Sequence, residues 1–138
     1  AYKTERYNIK GKDVVAGNCK YYLNDLSFKN FLYPGFAYGV GYLLENAVYL
    51  ELRRLGYIVY TGSFRDKEVD FVAMKDDRVI YLQATYMLET AQTMEREYAP
   101  LLTIGDNYEK YVVSMDEVQF PSNEGVRHIQ AWNLKEIL

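Results

Sequence analysis

Residues 41–86 read GYLLENAVYLELRRLGYIVYTGSFRDKEVDFVAMKDDRVIYLQATY, and this stretch decides the fold. With Val40 just ahead of it, Leu44, Ala47, Val48, Leu52 and Leu55 recur at three- and four-residue steps, which puts them on one face of a helix. Gly56 follows, where helices commonly close in a left-handed conformation. Three runs rich in β-branched and aromatic residues come next, at 57–60, 69–74 and 79–86, and read as strands.

Polar residues inside this unit carry the functional question. Glu45 is on the helix, Asp70 in the second strand, and Gln83 and Thr85 on one face of the third. Lys75-Asp76-Asp77-Arg78 is the turn-like stretch between the second and third strands. A hairpin centred on Asp76 and Asp77 sets Asp70 opposite Gln83, which predicts one shared face for the two.

Working outward, 110–115 (KYVVSM) and 126–131 read as further strands. Thr90 is a candidate cap for a helix over 91–99, with Pro100 ending or kinking it. Asn133 is a candidate cap for a terminal turn. Strands alternating with helices predict an α/β fold with a mixed sheet and helices on both faces. Residues 1–34 are mixed in character, with turn signals at Gly11-Lys12-Asp13 and Gly17-Asn18 and a segment KYYLNDLSFKNFLYP that reads as a short helix or docking piece.

A length of 138 residues is one domain's worth of chain, and 49% apolar with 25% charged residues is ordinary globular composition. No apolar run reaches the roughly 18–20 residues of a membrane span. Cys19 is the single cysteine, so no internal disulfide or cysteine-based zinc site forms, and a reducing, cytoplasmic setting is expected. His128 is the single histidine, in the apolar run VRHIQAW, and reads as structural; Ser-His-Asp or Cys-His catalysis has little material. The net charge is −3, with a balance of +3 in residues 1–30. Gripping duplex DNA takes a concentrated basic face, so nucleic-acid binding by this chain alone is expected to be weak. Fifteen tyrosines, without a basic groove, point to core packing and a protein interface. There is no GxxxxGK[ST] and hence no nucleotide site.

A helix with an internal Glu, then three strands with Asp in the second and an acid-x-Lys-like triplet in the third, resembles the PD-(D/E)xK nuclease superfamily, of restriction-endonuclease-like fold. More narrowly, LLENAVYLELRRLGYIVY, KEVDFVA, YLQATY, ERE and DNYEKYVVSMDE, in that order, resemble a family of uncharacterised domains C-terminal to the AAA+ module of bacterial and archaeal P-loop ATPases. The resemblance implies a helix, three strands, helix, strand core in residues 36–138. It makes residues 1–35 a connector from an upstream ATPase module, which becomes the expected partner.

The resemblance also implies a site. In intact members the second- and third-strand acids hold Mg²⁺ or Mn²⁺, and the triplet lysine polarises the attacking water. Asp70, Glu45 and Gln83 stand at the metal-holding positions. The third strand departs from the pattern: it reads Gln83-Ala84-Thr85, so one ligand is uncharged and the lysine is missing. Lys67, Arg96 and above all Lys110 are the candidate replacements. Two expectations follow from this: a degenerate nuclease-like domain acting as a binding or regulatory module, or an active Mg²⁺- or Mn²⁺-dependent DNA nuclease using Glu45, Asp70, Gln83 and a migrated Lys110.

Overall fold

The computed structural model describes residues 1–25 and 39–138. The chain runs β1 (Tyr2–Asn8), β2 (Asp13–Tyr22), α1 (Val40–Arg54), β3 (Ile58–Phe64), β4 (Lys67–Lys75), β5 (Arg78–Ala84), α2 (Ala91–Leu102), β6 (Glu109–Ser114), β7 (Val126–Gln130) and a 3-10 helix (Ala131–Glu136). The strands form one mixed sheet in the order β2-β1-β3-β4-β5-β6-β7. β3, β4 and β5 are an antiparallel meander; α2 then carries the chain across to β6, parallel to β5, and β7 follows parallel to β6.

The predicted helix α1 forms because Val48, Tyr49 and Leu52 bury its inner face against the sheet. Arg53 and Arg54 lie in its last turn, where the dipole favours cations, and Gly56 closes it at φ +90°. On this side of the sheet Tyr22 stacks on Tyr49 with ring centroids 4.3 Å apart, and Phe71 joins them at 5.7 Å from Tyr22. The other face carries α2, whose Tyr98 and Leu101 pack on Val69, Val72, Tyr81 and Val112. Much of the tyrosine content is thus core. No helix among the described residues is long and apolar enough to cross a membrane.

Several expectations need correction. The described part of 1–35 adds two strands that were not expected: β1 pairs in parallel with β3 through Arg6, Tyr7 and Asn8, and Thr4 Oγ1 bonds Thr61 Oγ1 at 3.0 Å in the interior. Tyr22 ends a strand, and most of the docking piece lies outside the described residues. α2 begins as expected, Thr90 Oγ1 accepting from Thr93 N–H at 3.0 Å. It runs through Pro100, however, because Leu101 is fully buried and draws the last turn inward. Only the bond to the Arg96 carbonyl is forgone there. The terminal turn is a 3-10 helix that Asn133 sits inside rather than caps.

The β4–β5 register is the expected one, with all pairs from Lys75↔Arg78 to Phe71↔Leu82 in place and Asp76 at φ +53° in the turn. On the other side of β4 the pairing with β3 shifts between Tyr60 and Gly62, so Thr61 faces both Asp70 and Phe71. Gly62 is required here: a Cβ on it would stand 2.8 Å from Val72 Cγ2 and 3.1 Å from Val69 Cβ. The bulge resets the alternation of β4. Val69 belongs to the α2-side core but Phe71, two residues on, to the α1-side core. Asp70 lies at this reset.

Candidate functional site

Beyond Phe71↔Leu82 the ladder between β4 and β5 is continued by side chains. Gln83 Oε1 accepts the Asp70 backbone N–H at 2.8 Å, and Asp70 Oδ2 accepts the Ala84 N–H at 2.9 Å. The bulge permits this, since it pulls the Asp70 backbone out of regular pairing and leaves two orphan donors to satisfy. Asp70 and Gln83 are therefore adjacent, as the register predicts, but they do not converge. Asp70 turns its carboxylate toward α1, and Gln83 directs Nε2 to the Glu97 carbonyl of α2 at 3.4 Å.

Around Asp70 the chain assembles three carboxylates and one ammonium. Lys20 Nζ of β2 lies 2.7 Å from Glu68 Oε1, 3.1 Å from Glu45 Oε1 and 3.9 Å from Asp70 Oδ1. Tyr22, two residues on and so on the same face of β2, donates its hydroxyl to Glu45 Oε1 at 2.7 Å. Arg6 Nη2 closes the far side of Glu68 at 3.3 Å. β2 is three strands from β4, about 14 Å in a flat sheet at ~4.8 Å per strand. Lys20 reaches the acids from across β1 and β3.

Electrostatics follow from this crowding. Burial and the neighbouring Glu45 charge push the Asp70 carboxyl up to about 7, against the Ala84 N–H and Lys20, which favour its ionised form. Burial also raises Glu97, opposed by Arg96 and assisted by Glu45. Burial works against the charge of Lys20, yet the Glu68 bond and the Glu45 and Asp70 carboxylates outweigh it and hold the ammonium above its ordinary value. A cleft of ≈ 630 Å³ opens beside Asp70 and Gln83, rimmed by Lys67, Gln92, Arg96 and Glu97.

Lys110 does not belong to this cluster. Its Nζ donates to Asp106 Oδ1 at 2.9 Å, to the Asp106 carbonyl at 2.8 Å and to the Tyr108 carbonyl at 2.9 Å. All three ammonium protons are engaged. It anchors a loop that Lys12 and Tyr81 also hold through Asp106 Oδ2. Arg96 pairs with Glu97 at the cleft rim. Lys110 thus stands apart from Asp70, and the lysine that the structure places among these carboxylates is Lys20. Lys20, Tyr22 and Glu68 were missed as members of the site. The signals were Lys20-x-Tyr22 and Glu68-x-Asp70, each a pair sharing one strand face, but the first was masked by reading residues 1–35 as a connector.

The Mg²⁺ or Mn²⁺ that the resemblance implies fits this donor set poorly. The Gln83 carbonyl oxygen is taken by the Asp70 N–H and Asp70 Oδ2 by the Ala84 N–H. Glu45 Oε1 holds both Tyr22 and Lys20. No group of three His, Cys, Asp or Glu side chains among the described residues is placed to hold a metal ion.

Ser114, Asp116 and His128 do meet in space, yet not as a catalytic triad. His128 Nδ1 accepts from the Phe120 N–H at 3.0 Å, which leaves the proton on Nε2, 2.7 Å from Ser114 Oγ. Ser114 Oγ in turn donates to Asp116 Oδ2 at 2.5 Å. The serine proton points at the carboxylate and not at the imidazole, the reverse of what nucleophilic attack needs. Burial lowers the His128 pKa against the pull of Asp116. His128 is structural, as expected.

A region of 113 residues is 34% identical to a protein of Haemophilus influenzae described as uncharacterized. It takes in 82% of this chain and 28% of the relative, so the chain matches little more than a quarter of that protein's length. No family model matches the chain, and no solved structure matches it.

Proposed function

We propose that this chain is a nuclease-like domain of restriction-endonuclease-like arrangement with a degenerate active site. It serves as a binding or regulatory module for an AAA+-type ATPase module upstream in the same protein. The order α1, antiparallel meander, α2, parallel strand supports the arrangement, as do the approach of Glu45 to Asp70 and the Gln83 bond to the Asp70 backbone. One observation carries the degenerate reading: Gln83, standing where the motif wants a metal-binding acid, is committed to the Asp70 N–H and the Glu97 carbonyl as a cross-link. The net charge of −3 supports weak binding to DNA by this chain alone.

A second reading is an active nuclease in which Lys20 supplies the positive charge that Thr85 cannot. The 3.9 Å between Lys20 Nζ and Asp70 Oδ1 favours it. Cleavage of supercoiled plasmid and single-stranded DNA in Mn²⁺, compared between the unaltered chain and Asp70→Asn, separates the two. The degenerate module predicts no cleavage that depends on Asp70. Cleavage lost in Asp70→Asn and in Lys20→Met, but kept in Lys110→Met, would establish the second reading instead.

A further inference from the structure

The acid cluster poses a charge problem that the protein solves from an unexpected quarter. Glu45 comes from α1 and Glu68 and Asp70 from the start of β4, and Asp70 is only 18% exposed. Three carboxylates this close repel, and partial burial strengthens the repulsion. A divalent ion is one remedy. Here an ammonium stands among them, within 4 Å of an oxygen of each, and two of its protons are directed at Glu45 and Glu68.

We propose that Lys20, delivered by the second strand of the N-terminal hairpin, is the resident cation of the Glu45–Glu68–Asp70 cluster and supplies the counter-charge that a divalent ion would otherwise bring. The proposal rests on the degenerate reading of the site and deepens it by naming what replaced the metal. Three features make Lys20 a fixture. Its strand is pinned, with Thr4 Oγ1 donating to the Lys20 carbonyl at 3.3 Å and bonding Thr61 on β3. Tyr22, from the same strand face, donates to the same Glu45 oxygen and is itself stacked on Tyr49. Arg6 of β1 holds the second oxygen of Glu68, so the hairpin brings two positive charges to the three acids. Hard divalent ions need several such oxygens free at once.

The test is thermal unfolding of the full 138-residue chain with and without millimolar Mn²⁺, with Mn²⁺ alone as the probe. The unaltered protein and Lys20→Arg should be indifferent to Mn²⁺. Lys20→Met, and the milder Lys20→Gln, should melt lower without metal and recover with it. A rise of about 3–6 °C is expected at a concentration tenfold above the dissociation constant. Adding Asp70→Asn to either variant should abolish the recovery. The proposal is overturned if the unaltered protein itself rises with Mn²⁺ and Asp70→Asn cancels that rise. It is equally overturned if neither Lys20→Met nor Lys20→Gln responds to Mn²⁺. DNA cleavage that needs Asp70 would sink the degenerate reading, whereas unresponsive Lys20 variants without cleavage sink the resident-cation proposal alone.

Discussion

Gln83 and Asp70 are joined by a 2.8 Å hydrogen bond from the Asp70 backbone N–H to the Gln83 amide oxygen, side chain standing in for backbone at the end of a ladder. Gln83 is 4% exposed, so its loss cannot be made good by solvent. Gln83→Leu leaves the Asp70 N–H and the Glu97 carbonyl without this partner. A loss of about 1–3 kcal/mol of stability is expected in urea unfolding. A neutral result would mean that the bond is dispensable and that Gln83 is free for another role.

Asp70 gives a pH dependence of definite sign. Its carboxyl titrates near 7 in the folded chain and at about 3.9 when unfolded. Between these values the folded state binds more protons, so this group's contribution is full below about pH 4 and is lost as the pH rises to about 7. Asp70→Asn removes the titration and can still accept from Ala84. The stability of the unaltered protein relative to the variant should therefore fall across that window. Glu68, held below its ordinary value by Lys20 and Arg6 in spite of burial, acts in the opposite sense but is present in both proteins. A flat difference would show that Asp70 is ionised throughout.

Lys110 makes the opposite kind of prediction. It is 8% exposed and saturated by Asp106 and Tyr108. Lys110→Met strands two carbonyls and part of a carboxylate, at a cost of about 2–4 kcal/mol. Chemical denaturation should show that loss while the Mn²⁺ response of Lys20→Met, built into the same background, stays unchanged. A changed response would connect Lys110 to the acid cluster after all.

Local chemistry explains what was legible in the sequence. The α1 face, the Thr90 cap and the β4–β5 register are each written in a few neighbouring residues: a 3.6-residue period, one hydroxyl, one Asp-Asp turn. β1 and β2 were not, because strand identity there depends on pairing with Thr61, Gly62 and Ser63, far along the chain. For the same reason β3 extends to Phe64 rather than ending at Tyr60. The site divides in the same way. Glu45, Asp70 and Gln83 could be singled out from their positions on predicted elements. The facing of Asp70 could not, since the bulge that turns it arises from the tight packing of Gly62 against Val72 and Val69. Lys20 was hidden because its partners meet it only once the seven-stranded sheet is assembled.

The parallel pairing of β1 with β3 also imposes an order of events during synthesis. A chain emerging from the ribosome at about 5–20 residues per second exposes the N-terminal hairpin well before β3 can receive it. Such long-range pairing is slow to form, and until then the open edge of β1 needs protection from other chains. The same order favours the cluster itself. Lys20 leaves the ribosome ahead of Glu45, Glu68 and Asp70, so each acid is made into a chain that already carries its counter-charge.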